Sequence, residues 1–99
     1  MTYELISTDT FTRWLLKLKD RRAASAIAIR LVRAEAGHLG DIKSLSGGIS
    51  EMRIFVGKGY RLYFTVREGR LIFLLNGGDK SSQFRDIKRA KDILSAIEV

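Results

Sequence analysis

The sequence predicts one α+β domain spanning residues 1–99. Its expected order is β-α-α, then three or four strands, then α: a small, mostly antiparallel sheet with the helices against one face. Three observations predict this. Residues 49–56 (ISEMRIFV) and 60–67 (YRLYFTVR) alternate like paired strands around Gly57-Lys58-Gly59. The segments on either side of that hairpin carry apolar residues at helical spacing. A chain of 99 residues, 45% hydrophobic, has material for one core and no room for two.

The elements follow in order. Residues 3–7 (YELIS) are short and partly alternating, which reads as a strand. Thr8 to Thr10 offer helix caps, and Phe11, Trp14, Leu15 and Leu18 then fall at i, i+3, i+4 and i+7. Lys19-Asp20 marks a break. A second helix is expected over about 21–36, its alanines with Ile27 and Leu31 packing on the first helix as an αα-hairpin, and Gly37 stands where a C-terminal glycine cap belongs. Residues 37–48 are loop-rich, with a short strand expected near 42–45. After the hairpin, residues 70–76 (RLIFLLN) are almost continuously apolar, as in an interior strand covered on both faces. Gly77-Gly78 is expected to end that strand. Asp79 or Ser81 would cap a last helix whose Ile87, Ala90, Leu94 and Ile97 form one stripe.

Charge narrows the function. Eighteen Lys and Arg against eleven Asp and Glu give a net charge of +7, which favours polyanionic partners. There is no cysteine and a single histidine, His38, so disulfides, thiolate sites and histidine metal clusters are excluded. No metal or other cofactor is expected. No signal peptide and no membrane-length apolar run can be read, so the expected location is the cytoplasm, with no membrane partner.

The hairpin has two different faces. With Gly57-Lys58-Gly59 as the loop, Val56 pairs with Tyr60, Ile54 faces Leu62, and Met52 faces Phe64 on an apolar side. The other side collects Arg53 opposite Tyr63 and Phe55 opposite Arg61. Arginines beside a phosphate stabilise the charge of a phosphorane, and Phe55 and Tyr63 would stack on bases. Ordinary cross-strand packing explains the two aromatics equally well. RNA cleavage by 2′-OH attack needs no metal; it needs in-line positioning, charge stabilisation and a proton for the leaving oxygen. GGDKSS (77–82) lacks phosphate-loop spacing, but a glycine turn opening a helix exposes N–H groups to anions, and Lys80 adds charge there. No catalytic triad can be assembled around His38. Glu51 is the one acid on the arginine side of the hairpin.

The run ExRIxxGxGYRxYF (51–64) followed by LLxGGDKSxQxxDI (74–87) resembles the RelE/ParE superfamily of bacterial toxins, most nearly its HigB-like "addiction module killer" group. TxxFxxWLxxLKD (8–20) and GDIKSLSGGISEMR (40–53) fit the same group, so the resemblance covers nearly the whole chain. It implies a RelE-like fold and the toxin of a type II toxin–antitoxin system. Such a toxin is a metal-independent endoribonuclease that cuts mRNA in the ribosomal A site and is neutralised by a cognate antitoxin. Carried over by position, Arg53, Arg61 and Lys80 are the expected catalytic residues. Lys43 and Lys58 would hold flanking phosphates. Relatives that place a tyrosine or histidine near the C-terminus differ from this chain, where residues 79–84 read DKSSQF. The general base is therefore unassigned, with Asp79, Glu51 and Lys80 as candidates. ParE-type members share the fold but poison DNA gyrase, so gyrase inhibition is the alternative, and a non-catalytic nucleic-acid-binding module the next.

Overall fold

The computed structural model describes residues 2–97. Strand β1 is Glu4–Ser7, followed by helices α1 (Asp9–Lys17) and α2 (Arg21–Glu35). Strands β2 (Ile42–Ser44), β3 (Ser50–Ile54), β4 (Tyr60–Arg67) and β5 (Leu71–Asp79) come next, and α3 (Gln83–Ile97) closes the chain. Helices α1 and α2 start where the sequence supplies a cap, while Asp79 caps the short 3-10 turn of Lys80–Ser82 that leads into α3. Thr8 Oγ1 accepts from the Phe11 amide at 3.1 Å and donates to the Leu75 carbonyl at 2.6 Å, so the cap of α1 is also pinned to the sheet. The Asp20 carboxylate accepts from the Ala23 amide at 3.1 Å and starts α2. Gly37, with φ of 99°, ends it in the left-handed region.

The five strands run in the order β1-β5-β4-β3-β2, with β1 parallel to β5 and all other pairs antiparallel. Helices cover both faces, not one. On the first face Phe11, Trp14 and Leu15 of α1 and Ala23, Ile27 and Ala34 of α2 pack over Met52, Leu62, Phe64 and Leu74. On the second face Ala90 and Leu94 of α3 pack over Ile49, Tyr63 and Leu75. The reason is apolar surface on both sides of β4 and β5, which a one-sided arrangement would leave in water. For the same reason α2 lies chiefly on β1 and β3 instead of forming a hairpin with α1.

Two register details differ from the sequence expectation. In the β3–β4 hairpin Arg53 pairs with Arg61 and Ile54 with Tyr60, so the loop comprises residues 55–59. The slip is two residues, which changes every partner and leaves every side chain on its expected face. Strand β5 also runs through Gly77-Gly78 to Asp79. A Cβ on Gly77 would come within 2.5 Å of the Trp14 ring, and one on Gly78 would meet Asp86 and Ser82. These glycines therefore make room for α1 and α3 against a continuing strand. A bulge at Leu75, where Tyr63 pairs with Asn76 but Phe64 with Leu74, turns both Leu75 and Asn76 toward α3. Among the described residues no helix is long and apolar enough to cross a membrane.

Candidate functional site

The site is a row of residues across three strands. Arg53 of β3 lies opposite Arg61 of β4, which lies opposite Gly78 of β5. Ser82 and Asp86 sit over Gly78, so the row ends beneath the start of α3. The Lys80 amide donates to the Gly59 carbonyl at 2.9 Å, which ties the turn after β5 to the hairpin loop. A cleft of about 220 Å³ results, lined by Arg53, Phe55, Lys58, Tyr60, Arg61 and Lys80. Strand pairing thus brings together cations separated by up to 27 positions, from Arg53 to Lys80.

The two arginines are held differently. Arg53 Nη2 contacts Asp41 Oδ1 at 2.8 Å, and this hydrogen bond raises the already high pKa of the guanidinium. Its guanidinium carbon lies 5.9 Å from the centre of the exposed Phe55 ring. Behind it, Arg30 donates to the carbonyls of Arg53, Leu39 and Asp41 at 2.6, 3.0 and 3.2 Å, clamping the loop that carries Asp41 to the end of β3. Burial lowers the Arg30 pKa from its usual value. Arg61 Nε lies 3.4 Å from Glu51 Oε2, close enough for an ion pair but without hydrogen-bond geometry. Arg53 is thus oriented by a hydrogen-bonded carboxylate and Arg61 is steadied by charge alone, and guanidinium groups so placed suit a phosphate.

The structure gathers Arg53, Phe55, Lys58, Arg61 and Lys80 around one cleft. It removes others from the surface. Tyr63 is fully buried under α3, so it cannot stack on a base; burial, and secondly Glu51, push its phenol pKa up. Glu51 is 1% exposed and faces Arg61, so it cannot reach a substrate as a general base. Asp79 accepts from both the Ser81 hydroxyl and the Ser81 amide, and these bonds hold its carboxyl below the usual range and make it a weak base. Lys43 is exposed on β2 opposite Glu51, outside the cleft. Among the described residues no group of three or more His, Asp or Glu is placed to hold a metal.

Sequence reasoning missed Asp41 and Arg30. Asp41 reaches Arg53 from a loop 12 positions away, and Arg30 is one of several α2 arginines with no local mark of burial. The one sequence signal was a glycine at 40, where the structure has φ of 73° and where a Cβ would come within 2.9 Å of the Arg30 guanidinium.

Comparison with known proteins gives three findings. Residues 13–96 match the family described as "Phage derived protein Gp49-like". An uncharacterized protein of Haemophilus influenzae strain Rd is 50% identical over 91 residues, 92% of each chain. The fold is shared with two solved structures. One is from the RelBE2 toxin–antitoxin complex of Mycobacterium tuberculosis (TM-score 0.63, 23% identity, 81% of this chain and 100% of that one). The other is a mutant of the E. coli toxin RelE in the free state (TM-score 0.66, 21% identity, 90% and 98% covered).

Proposed function

The chain belongs to the phage-derived Gp49-like family, and from this premise we propose that it is the toxin of a type II toxin–antitoxin system, HigB-like in kind, which cleaves mRNA in the ribosomal A site. The observation that carries the reading is the facing pair Arg53 and Arg61, joined in one open cleft by Lys58 and Lys80. Four cations around a small cleft bind a polyanion at a fixed point. Two of them are guanidinium forks, Arg53 hydrogen-bonded to Asp41 and Arg61 beside Glu51.

The chemistry is attack of a ribose 2′-oxygen on the adjacent phosphorus. The P–O2′ bond forms, the P–O5′ bond breaks, and a 2′,3′-cyclic phosphate and a 5′-hydroxyl result. Arg53 and Arg61 stabilise the added negative charge, an effect worth about 10²–10³-fold in rate per well-placed donor. Lys80 or Lys58 stands beside the leaving oxygen as proton donor. With Glu51 buried and Asp79 a weak base, no carboxylate of the cleft takes the 2′-OH proton, and solvent accepts it. Rate then comes from positioning, with the ribosome holding the message in line. Exposed Phe55 offers a stacking face at the cleft rim. The partner is a cognate antitoxin, in keeping with the toxin–antitoxin complex among the structural relatives.

The test is induction of wild type and Arg61→Ala in cells, with and without the neighbouring gene product, followed by mapping of mRNA 5′ ends. Wild type should stop translation and generate new 5′ ends, and Arg61→Ala should do neither while keeping its fold. DNA damage and filamentation without new mRNA ends would replace this reading with gyrase inhibition.

A further inference from the structure

We propose that the cleft between α1 and α3 is a second nucleotide subsite, and that a continuous track for single-stranded RNA joins it to the arginine cleft. The inference rests on the RNA-cleaving reading and names how far its substrate extends. The cleft measures about 360 Å³ and is lined by Thr10, Trp14, Asn76, Gly77, Arg85, Asp86 and Arg89. Trp14 also lines a neighbouring cleft of about 560 Å³, with Lys17, Lys19, Asp20, Lys58 and Asp79 among its walls. Lys58 and Asp79 in turn border a third, with Lys80 and Ser81, and Lys58 and Lys80 line the arginine cleft itself. Shared walls thus string four shallow clefts around one end of the sheet.

The chemistry along this path suits a nucleic-acid strand. The cations recur from Arg53 and Arg61 through Lys80 and Lys58 to Arg85 and Arg89, as a polyphosphate backbone requires. Arg85 and Arg89 are exposed and make no ion pair among the described residues. The acids on the path are already engaged: Asp79 with Ser81, Asp86 with Ser82, and Asp20 with the Ala23 amide and the Tyr60 hydroxyl. At the far end Trp14 is half-buried and offers an aromatic wall. Asn76 lines the same cleft with its side chain 2% exposed, and its buried Oδ1 has no hydrogen-bond partner among the described residues. Its amide nitrogen donates to the Asp86 carbonyl at 3.0 Å, which ties this wall of the cleft to the start of α3. Strand β1 pairs with β5 only as far as Leu74, so no strand blocks the Gly77 edge.

Trp14 is the only tryptophan of the chain, so its fluorescence reports this subsite. The purified full chain is titrated with a mononucleotide, a trinucleotide and an octanucleotide of single-stranded RNA, and with a poly-glutamate peptide. The octanucleotide should quench Trp14 and bind at least tenfold more tightly than the trinucleotide. In the Arg85→Ala/Arg89→Ala variant the quench should be lost, and the slope of log affinity on log salt should fall by roughly 0.7 per arginine removed. Circular dichroism checks that this surface variant is folded. Equal quenching by the mononucleotide, preference for the acidic peptide, or an unchanged octanucleotide affinity in the double variant would each overturn the track. The function and the track fail separately. Loss of cleavage in Arg61→Ala with unaltered binding in the double variant removes the track alone. Trp14-linked octanucleotide binding by a chain that leaves cellular mRNA intact supports the track and removes the nuclease reading.

Discussion

Arg53 and Arg61 face each other across β3 and β4, and each is held by a carboxylate from a different place: Asp41 in the loop before β2 for Arg53, and Glu51 on β3 for Arg61. Two like charges placed opposite on a sheet repel, so the pair persists because each is neutralised locally. The two anchors are unequal. The Arg53–Asp41 pair is about one-third exposed on each side (33% and 39%), whereas Glu51 is almost wholly buried.

That inequality makes Glu51→Gln the informative substitution. It keeps the shape and removes the charge that balances Arg61. Leaving Arg61 without its counter-charge should cost about 1–3 kcal/mol of stability, measured by urea unfolding. It should also lower RNA cleavage at a protein concentration where the variant is fully folded. Wild-type stability and wild-type cleavage together would show that the 3.4 Å contact neither supports the fold nor orients Arg61.

Tyr63 separates packing from recognition. Its ring is fully buried with Leu75 and Leu94, and its hydroxyl is buried without a hydrogen-bond partner among the described residues. Tyr63→Phe should therefore change stability by less than about 1 kcal/mol and leave cleavage intact, while Tyr63→Ala should cost about 3–5 kcal/mol. Loss of RNA binding in a stable Tyr63→Phe protein would return the residue to the site.

Much of the fold could be read from the chain because its signals are local. Thr8 and Asp20 cap the helices they precede, Gly37 ends α2, and alternation along 49–56 and 60–67 sorts the hairpin faces. What could not be read depends on contacts distant in sequence. The pairing of Arg53 with Arg61 turns on a loop of residues 55–59, and hydrophobic alternation cannot detect a slip of two. The burial of Tyr63 depends on α3 crossing the second face, which its own strand does not announce. The shared face of Arg53 and Arg61 was legible from strand period, and the position of Lys80 from the glycine turn before it; Asp41 and Arg30 were not legible, because tertiary contact alone makes them partners.

Asp79 yields a pH dependence. Its bonds from the Ser81 hydroxyl and amide, with Lys58 nearby, lower its pKa from 3.8. A depressed carboxylate contributes stability above its unfolded pKa, and that contribution is lost as pH falls through the lower folded value. Asp79→Asn should therefore be less stable than wild type near neutral pH, and the gap should close below about pH 4 as wild type protonates. Thermal melts at neutral pH and at the acid end check this. A gap that is constant with pH would mean that the cap works through shape and not through charge.

Gly77→Ala tests why β5 continues where two glycines suggest an end. The backbone there needs no left-handed conformation; what is scarce is space, since the added methyl would sit within 2.5–2.8 Å of three carbons of the Trp14 ring. The ring belongs to the packed face of α1 and lies 5.9 Å from Phe11 and 6.4 Å from Tyr60, centre to centre, so it cannot withdraw freely. Overpacking of this kind costs about 1–3 kcal/mol. If steric conflict with Trp14 is the cause, Trp14→Leu should recover part of the loss in a double-mutant cycle, because the smaller side chain leaves room for the methyl. Additive losses would instead place the requirement for Gly77 in the backbone of β5, beside the cleft that Arg85 and Arg89 complete.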